Sequence, residues 1–148
     1  MTPKRLAACL NGDQGSVMAR RVAACDCAQL RLEVAGDPMR VVVCHCLACQ
    51  RRTGSAFVVE GRFSSDQVDV SGRFSDYTRA SEGDGEVTYH FCPECGVSVF
   101  NTTATDSDVW VPIGAFADPS FPPPTVSVFE SRRHPWVVMP NTIETHSD

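Results

Sequence analysis

Seven of the eight cysteines in this chain fall into three tight groups. Cys25-Asp26-Cys27 is the first, Cys44-His45-Cys46-Leu47-Ala48-Cys49 the second, and Cys92-Pro93-Glu94-Cys95-Gly96 the third. Thiolates at such spacings hold zinc. Four of them close a tetrahedral site, and three leave one coordination position open. Seven therefore predict two zinc ions per chain, one in a closed site that builds a fold and one in an open site able to do chemistry. The expected structural site pairs Cys25 and Cys27 with Cys92 and Cys95, stapling an early strand to a late turn. Cys44, Cys46 and Cys49 are then left for the second, open zinc. A rival partition joins Cys46 and Cys49 to Cys92 and Cys95 as a two-knuckle ribbon, and spacing alone does not exclude it.

The chemistry of an open three-cysteine zinc follows from its donors. Three thiolates give the metal much charge, so activation of water is less favoured than at a zinc held by neutral histidines. A thiol entering the open position loses its proton and sits there as a thiolate. A thiolate beside an aldehyde can form a C–S bond, and the reverse reaction cleaves a thiohemiacetal. A competing function is a zinc-stabilised binding module without catalysis. The two differ in one observable: an enzyme needs a pocket that reaches Cys44, Cys46 and Cys49.

Composition bounds the partners. The 148 residues suffice for one domain with a sizeable core. The formal charge is -5 at pH 7, and seven thiolates with two zinc ions would lower it to about -8. That balance opposes a nucleic-acid surface, which needs a basic face. Val41 to Val43 is far too short an apolar run to span a membrane. A disulfide framework fits less well than zinc: Lys4-Arg5 precedes no apolar stretch of signal-peptide length, and the chain exceeds the size that needs such staples. The expected compartment is a reducing cytoplasm.

The elements that must position the cysteines read as β. Residues 1–18 show no periodicity and are expected to be a disordered extension, with Met18 a possible true start. The zinc-binding domain is expected over 19–140, and 141–148 as a C-terminal tail. Leu30, Leu32 and Val34 alternate with Arg31 and Glu33 as a half-buried strand. Met39–Cys46, Ser55–Glu60, Glu86–Phe91, Asp108–Ile113 and Thr125–Phe129 read as further strands. Val68–Val70 and Arg73–Tyr77 flank Ser71-Gly72 as an expected hairpin. Leu47 to Arg52 is the one helical turn. Many short strands separated by turn signals predict an all-β domain.

These motifs resemble the glutathione-dependent formaldehyde-activating enzyme family, also called centromere-protein-V-like. Cys25-Asp26-Cys27, the run from Cys44 through Gly54-Ser55-Ala56-Phe57, and Phe91-Cys92-Pro93-Glu94-Cys95-Gly96 carry the likeness. Ile113 to Pro119 and His134-Pro135-Trp136 echo it more weakly. The resemblance implies a β-tent of short antiparallel sheets, a four-cysteine structural zinc and a second zinc on three cysteines. It implies a carbon–sulfur lyase activity that adds glutathione to formaldehyde, giving S-hydroxymethylglutathione. One departure is Ala28, where the family usually has glycine.

Other residues have plainer expectations. Cys9 would close the second zinc site if it capped it. His45 alternates with Cys44 and Cys46 and should point to the opposite strand face, in a structural role. Arg51 and Arg52 follow the open site and could hold glutathione carboxylates by bidentate pairing. Phe57 and Trp136 are expected in the core or a pocket wall. Asp118-Pro119 is expected to be a turn.

Overall fold

A computed structural model describes residues 18–148. Cys9 and the expected extension, Met18 apart, lie outside the described residues. Among the described residues eleven strands form two sheets. The smaller holds β1 (Arg20–Ala24), β2 (Arg31–Ala35) and β5 (Val68–Ser71), all antiparallel. β2 buries Leu32 and Val34 on one face and exposes Arg31 and Glu33 on the other, as the alternation requires.

The larger sheet contains β3 (Arg40–Cys44), β4 (Val58–Phe63), β6 (Ser75–Ala80), β7 (Glu86–Phe91), β8 (Ser98–Thr103), β9 (Val109–Pro112), β10 (Val126–Val128) and β11 (Glu144–Thr145). Its order is β11-β10-β3-β4-β9-β8-β7-β6. One short helix, α1 (Leu47–Thr53), leaves the end of β3. Fully buried Leu30, Leu32, Val34, Phe63, Val99 and Val111 from the two sheets share a core with Cys25 and Cys92.

The all-β expectation holds, with three differences. The sheet is not wholly antiparallel: β10 runs parallel to both β3 and β11. The prolines at 122–124 lead the chain back beside β3 by a long connection, and a parallel pair requires one. The segment set apart as a C-terminal tail joins this sheet through β11, with Ile143 buried beside it. The expected hairpin at Ser71-Gly72 does not form. β5 pairs with β2 and β6 with β7, so the chain crosses there from one sheet to the other.

Gly72 makes that crossing possible. Its φ is +95°, and a Cβ built on it would lie 1.9 Å from the Gln29 carbonyl oxygen. The Gln29 side chain meets the same crossing, accepting from the Arg73 N–H at 3.0 Å and donating to the Arg73 carbonyl at 2.6 Å. Gly72→Ala must therefore move backbone against backbone. Chemical denaturation of this variant should show a loss of about 2–4 kcal/mol. A midpoint equal to wild type would show that the crossing is not tight.

Candidate metal centre

The first cysteine group lies just past a strand rather than on one. β1 ends at Ala24, and Cys25 to Ala28 form a turn closed by Ala28 N–H to Cys25 carbonyl at 3.0 Å. The third group is built the same way after β7, with Gly96 N–H to Cys92 carbonyl at 2.8 Å. In each, the residue after the second cysteine takes a positive φ, 60° at Ala28 and 76° at Gly96. The two sulfurs of Cys25-x-Cys27 thus converge through a left-handed turn, and strand alternation is not what aims them.

The two turns meet. Cys25, Cys27, Cys92 and Cys95 place their sulfurs within 4.8 Å of one another. Cys25 to Cys27 and Cys27 to Cys92 are each 3.6 Å, close to the ~3.8 Å edge of a tetrahedron of sulfurs around zinc. N–H groups already face these sulfurs: Leu30 donates to Cys25 at 3.3 Å and Gln29 Nε2 to Cys92 at 3.2 Å. Such donors offset negative charge on thiolates. All seven clustered cysteines are free thiols.

The second group forms its own cluster of Cys44, Cys46 and Cys49, again within 4.8 Å. The ribbon partition is therefore not the one the fold builds. Cys44 ends β3, Cys46 is the N-cap of α1, and Cys49 lies in its first turn. The expected strand stops short of Cys46. The Cys46 sulfur caps the helix, accepting the Cys49 N–H at 3.3 Å, so capping and clustering use the same atom.

Taken without a cation, the three thiols divide their protons unequally. Hydrogen bonds from Cys44 and then Cys49 hold the Cys46 thiol down at about 2. Sharing with Cys46 pushes Cys44 up to about 12, and sharing with Cys44 pushes Cys49 up as well. Three negative charges this close need a positive ion among them. Both donor sets are compatible with zinc, one with four sulfurs and one with three.

A cavity of about 180 Å³ is lined by all three cysteines of the second cluster. Its wall includes Glu60, Arg79, Tyr89 and Asn101. Arg79 donates to the Tyr89 hydroxyl through Nε at 3.1 Å and Nη2 at 2.7 Å. A cleft of about 270 Å³ shares Arg79 and Tyr89 and adds Arg51, Arg52 and Tyr77. A larger hollow of about 650 Å³ lies beside Cys25 and the end of α1; the three-cysteine cluster does not line it.

The two arginines of the motif have different surroundings. Arg51 is exposed. Arg52 turns inward, bonding Glu60 at 2.7 Å with side chains 11% and 12% exposed, and its guanidinium lies 4.6 Å from the Tyr89 ring centre. His45 is fully buried, facing away from the cavity. Its Nε2 pairs with Ser127 Oγ at 3.0 Å, and burial lowers its pKa. Phe57 packs against it edge-on at 5.8 Å. Trp136 departs from expectation: it is 70% exposed, because it sits in a surface turn closed by Val137 N–H to the His134 carbonyl rather than on a core strand. Asp118 makes the expected turn, closed by Phe121 N–H to its carbonyl.

Residues 20–132 match the model of the glutathione-dependent formaldehyde-activating enzyme family. The chain belongs to that family. A crystal structure of a Rhodobacter sphaeroides protein is similar at 16% identity, over 69% of this chain and 91% of that one, with a TM-score of 0.52. At that identity the likeness concerns the fold alone. No curated protein matches the chain. Among the described residues, no helix is long and apolar enough to cross a membrane.

The geometry explains the family's usual glycine after the first cysteine pair. Ala28 holds a left-handed φ of 60°, which costs an L-residue about 1–2 kcal/mol, partly offset by lower unfolded-state entropy. Ala28→Gly should therefore raise stability by about 0.5–1 kcal/mol. A thermal melt in which the variant falls below wild type would contradict the strained turn.

Glu60, Arg79, Tyr89 and Asn101 were not singled out from the sequence. A signal existed for one of them. Val58 and Glu60 share a face of β4, and Val58 packs on Cys46 and Cys49. A carboxylate two residues from a buried valine on a strand is a buried charge. Arg79, Tyr89 and Asn101 reach the cavity only through the order β9-β8-β7-β6, which no local pattern discloses.

Proposed function

We propose that this protein is a carbon–sulfur lyase-type enzyme with two zinc ions, joining glutathione to formaldehyde as S-hydroxymethylglutathione and splitting that bond in reverse. The observation that carries this is the cavity reaching Cys44, Cys46 and Cys49. A binding module stabilised by metal would gain nothing from opening that cluster to solvent. Family membership supports the same thiol and aldehyde.

The residues divide the work. Cys25, Cys27, Cys92 and Cys95 hold the structural ion, and Cys44, Cys46 and Cys49 hold the second. Zinc in the second site would supply an open position and a positive charge that keeps a thiol sulfur ionised. Arg51, at the surface of the cleft, offers its guanidinium group to a glutathione carboxylate. Arg52 belongs to the same cleft but acts while tied to Glu60. The aldehyde, being small, fits the cavity beyond the thiol.

The two metal sites should separate by mutation. Cys92→Ser should abolish cooperative folding, because metal binding at a structural site is folding free energy. Cys49→Ser should leave a folded chain that lacks one metal equivalent and all activity. The opposite pattern, in circular dichroism and elemental analysis, would overturn this division of labour.

Thiol binding has a direct readout. Cobalt-substituted protein should gain a sulfur-to-metal absorbance band on adding glutathione, and none with S-methylglutathione, which cannot become a thiolate. Binding should tighten as pH rises toward the thiol's own pKa, since it releases a proton. Arg51→Ala should raise KM for glutathione about tenfold with little change in kcat. A spectrum that ignores glutathione in the full chain but responds in Cys9→Ser would show that Cys9 closes the site. Silence in both would leave the binding-module reading.

A further inference from the structure

Glu60 stands out among the groups around the three-cysteine cavity. It lies on β4, whose register sets Val58 opposite Cys44 and Glu60 opposite Val42. It lines the cavity together with Cys44, Cys46 and Cys49. Two donors fix it: Arg52 Nη2 at 2.7 Å and Asn101 Nδ2 at 2.8 Å. Both reach the same oxygen, Oε1. Among the described residues no donor reaches Oε2, so one carboxylate oxygen is anchored and the other carries no protein hydrogen bond.

This arrangement is costly unless used. A carboxylate with only 12% of its side chain exposed is desolvated, and a single-oxygen anchor is less than its four lone-pair sites can accept. A purely structural Arg–Glu pair would be expected to spread its donors over both oxygens. Arg52 from α1 and Asn101 from β8 bond Glu60, and Arg79 from β6, Tyr89 from β7 and Cys44, Cys46 and Cys49 line the same cavity.

We infer that Glu60 is the proton-transfer residue for the hydroxyl of the thiol–aldehyde adduct. This rests on the reaction proposed above. In cleavage, the Glu60 carboxylate takes the proton of the S–CH2–O–H hydroxyl. The O–H electron pair becomes the second C–O bond, the C–S bond breaks, and its pair leaves on sulfur. The products are a thiolate, free aldehyde and a protonated Glu60. In addition, the thiolate sulfur attacks the carbonyl carbon and the Glu60 acid returns the proton to the carbonyl oxygen. Arg52 and Asn101 are positioning residues, holding Oε1 so that Oε2 keeps its place.

Glu60→Gln tests this. Glutamine keeps an oxygen for Arg52 and Asn101 but cannot accept the proton. Adduct cleavage should fall about 100-fold or more, while metal content and the cobalt band with glutathione stay as in wild type. Cleavage needs the ionised carboxylate, so the wild-type rate should fall as pH drops through the Glu60 pKa. The variant's residual rate should lack that acid limb. Should Glu60→Gln lose its fold, Glu60→Asp serves instead. It keeps the limb and lowers kcat, and an unchanged kcat there would overturn the inference. An active wild type with an equally active Glu60→Gln of unchanged pH profile overturns it for Glu60 alone. A wild type inert toward thiol and aldehyde, with no cobalt response, overturns both the reaction and this step.

Discussion

Mutual repulsion among thiolates is the constraint on which this structure depends. Cys25 and Cys27 close the turn between β1 and β2, in the small sheet, while Cys92 and Cys95 close the knuckle between β7 and β8, in the large one. Ionised sulfurs of Cys27 and Cys92, 3.6 Å apart across the joint, would drive the sheets apart; the same sulfurs around a divalent cation would draw them together. Cys25 and Cys92 are 4% and 0% exposed while Cys27 is exposed and Cys95 half-buried, so the joint runs from the hydrophobic core to the surface. Gln29 ties the joint to the chain crossing, touching both the Cys92 sulfur and the Arg73 backbone. Loss of the cation would thus be felt in the core packing and in the crossing together.

The second cluster obeys the same electrostatics with a different architecture. All three sulfurs come from six consecutive residues, spanning a strand end, a helix cap and a first helical turn. Little long-range closure entropy is involved. A locally built cluster does not need to hold sheets together, so its fourth side can remain open. The strands around it then decide what can approach. β4 brings Glu60, β6 and β7 bring Arg79 and Tyr89, and β8 brings Asn101. On the function proposed above, the chemistry falls to the locally formed cluster and stability to the one closed at long range.

The legible and illegible parts of the sequence divide along that line. Cysteine spacing disclosed both clusters because each pair or triplet is nearly contiguous. Alternation in Leu30, Leu32 and Val34 disclosed β2 because one of its faces is wholly buried. His45 was placed away from the sulfurs by the same period, and Ser127 is the partner it finds there. The Ser71-Gly72 turn misled because a positive φ serves a crossing between sheets as well as a hairpin. The 141–148 segment carries few apolar residues, yet β11 forms because the edge of β10 offers backbone groups to pair. Arg52 looked like its neighbour Arg51 in the motif. Only packing shows one guanidinium turned in to Glu60 and the other left in solvent.

Charge around the open cluster completes the picture. Three thiolates with a divalent cation leave one negative charge, and Glu60 adds another. Arg79 in the cavity wall and Arg52 bonded to Glu60 bring two positive charges beside it. The resting site is then close to neutral, as a partly dry cavity requires. A thiol that arrives and loses its proton adds one negative charge with no counterion in the cavity itself. The cations left for it stand at the rim: Arg51 beside the cleft, with Arg132 engaged to Glu82 close to α1. If the thiol is glutathione, as proposed, it carries two carboxylates as well, and its affinity would depend on how far those rim charges remain unscreened. Binding should therefore weaken with salt more steeply than a metal–sulfur bond alone would.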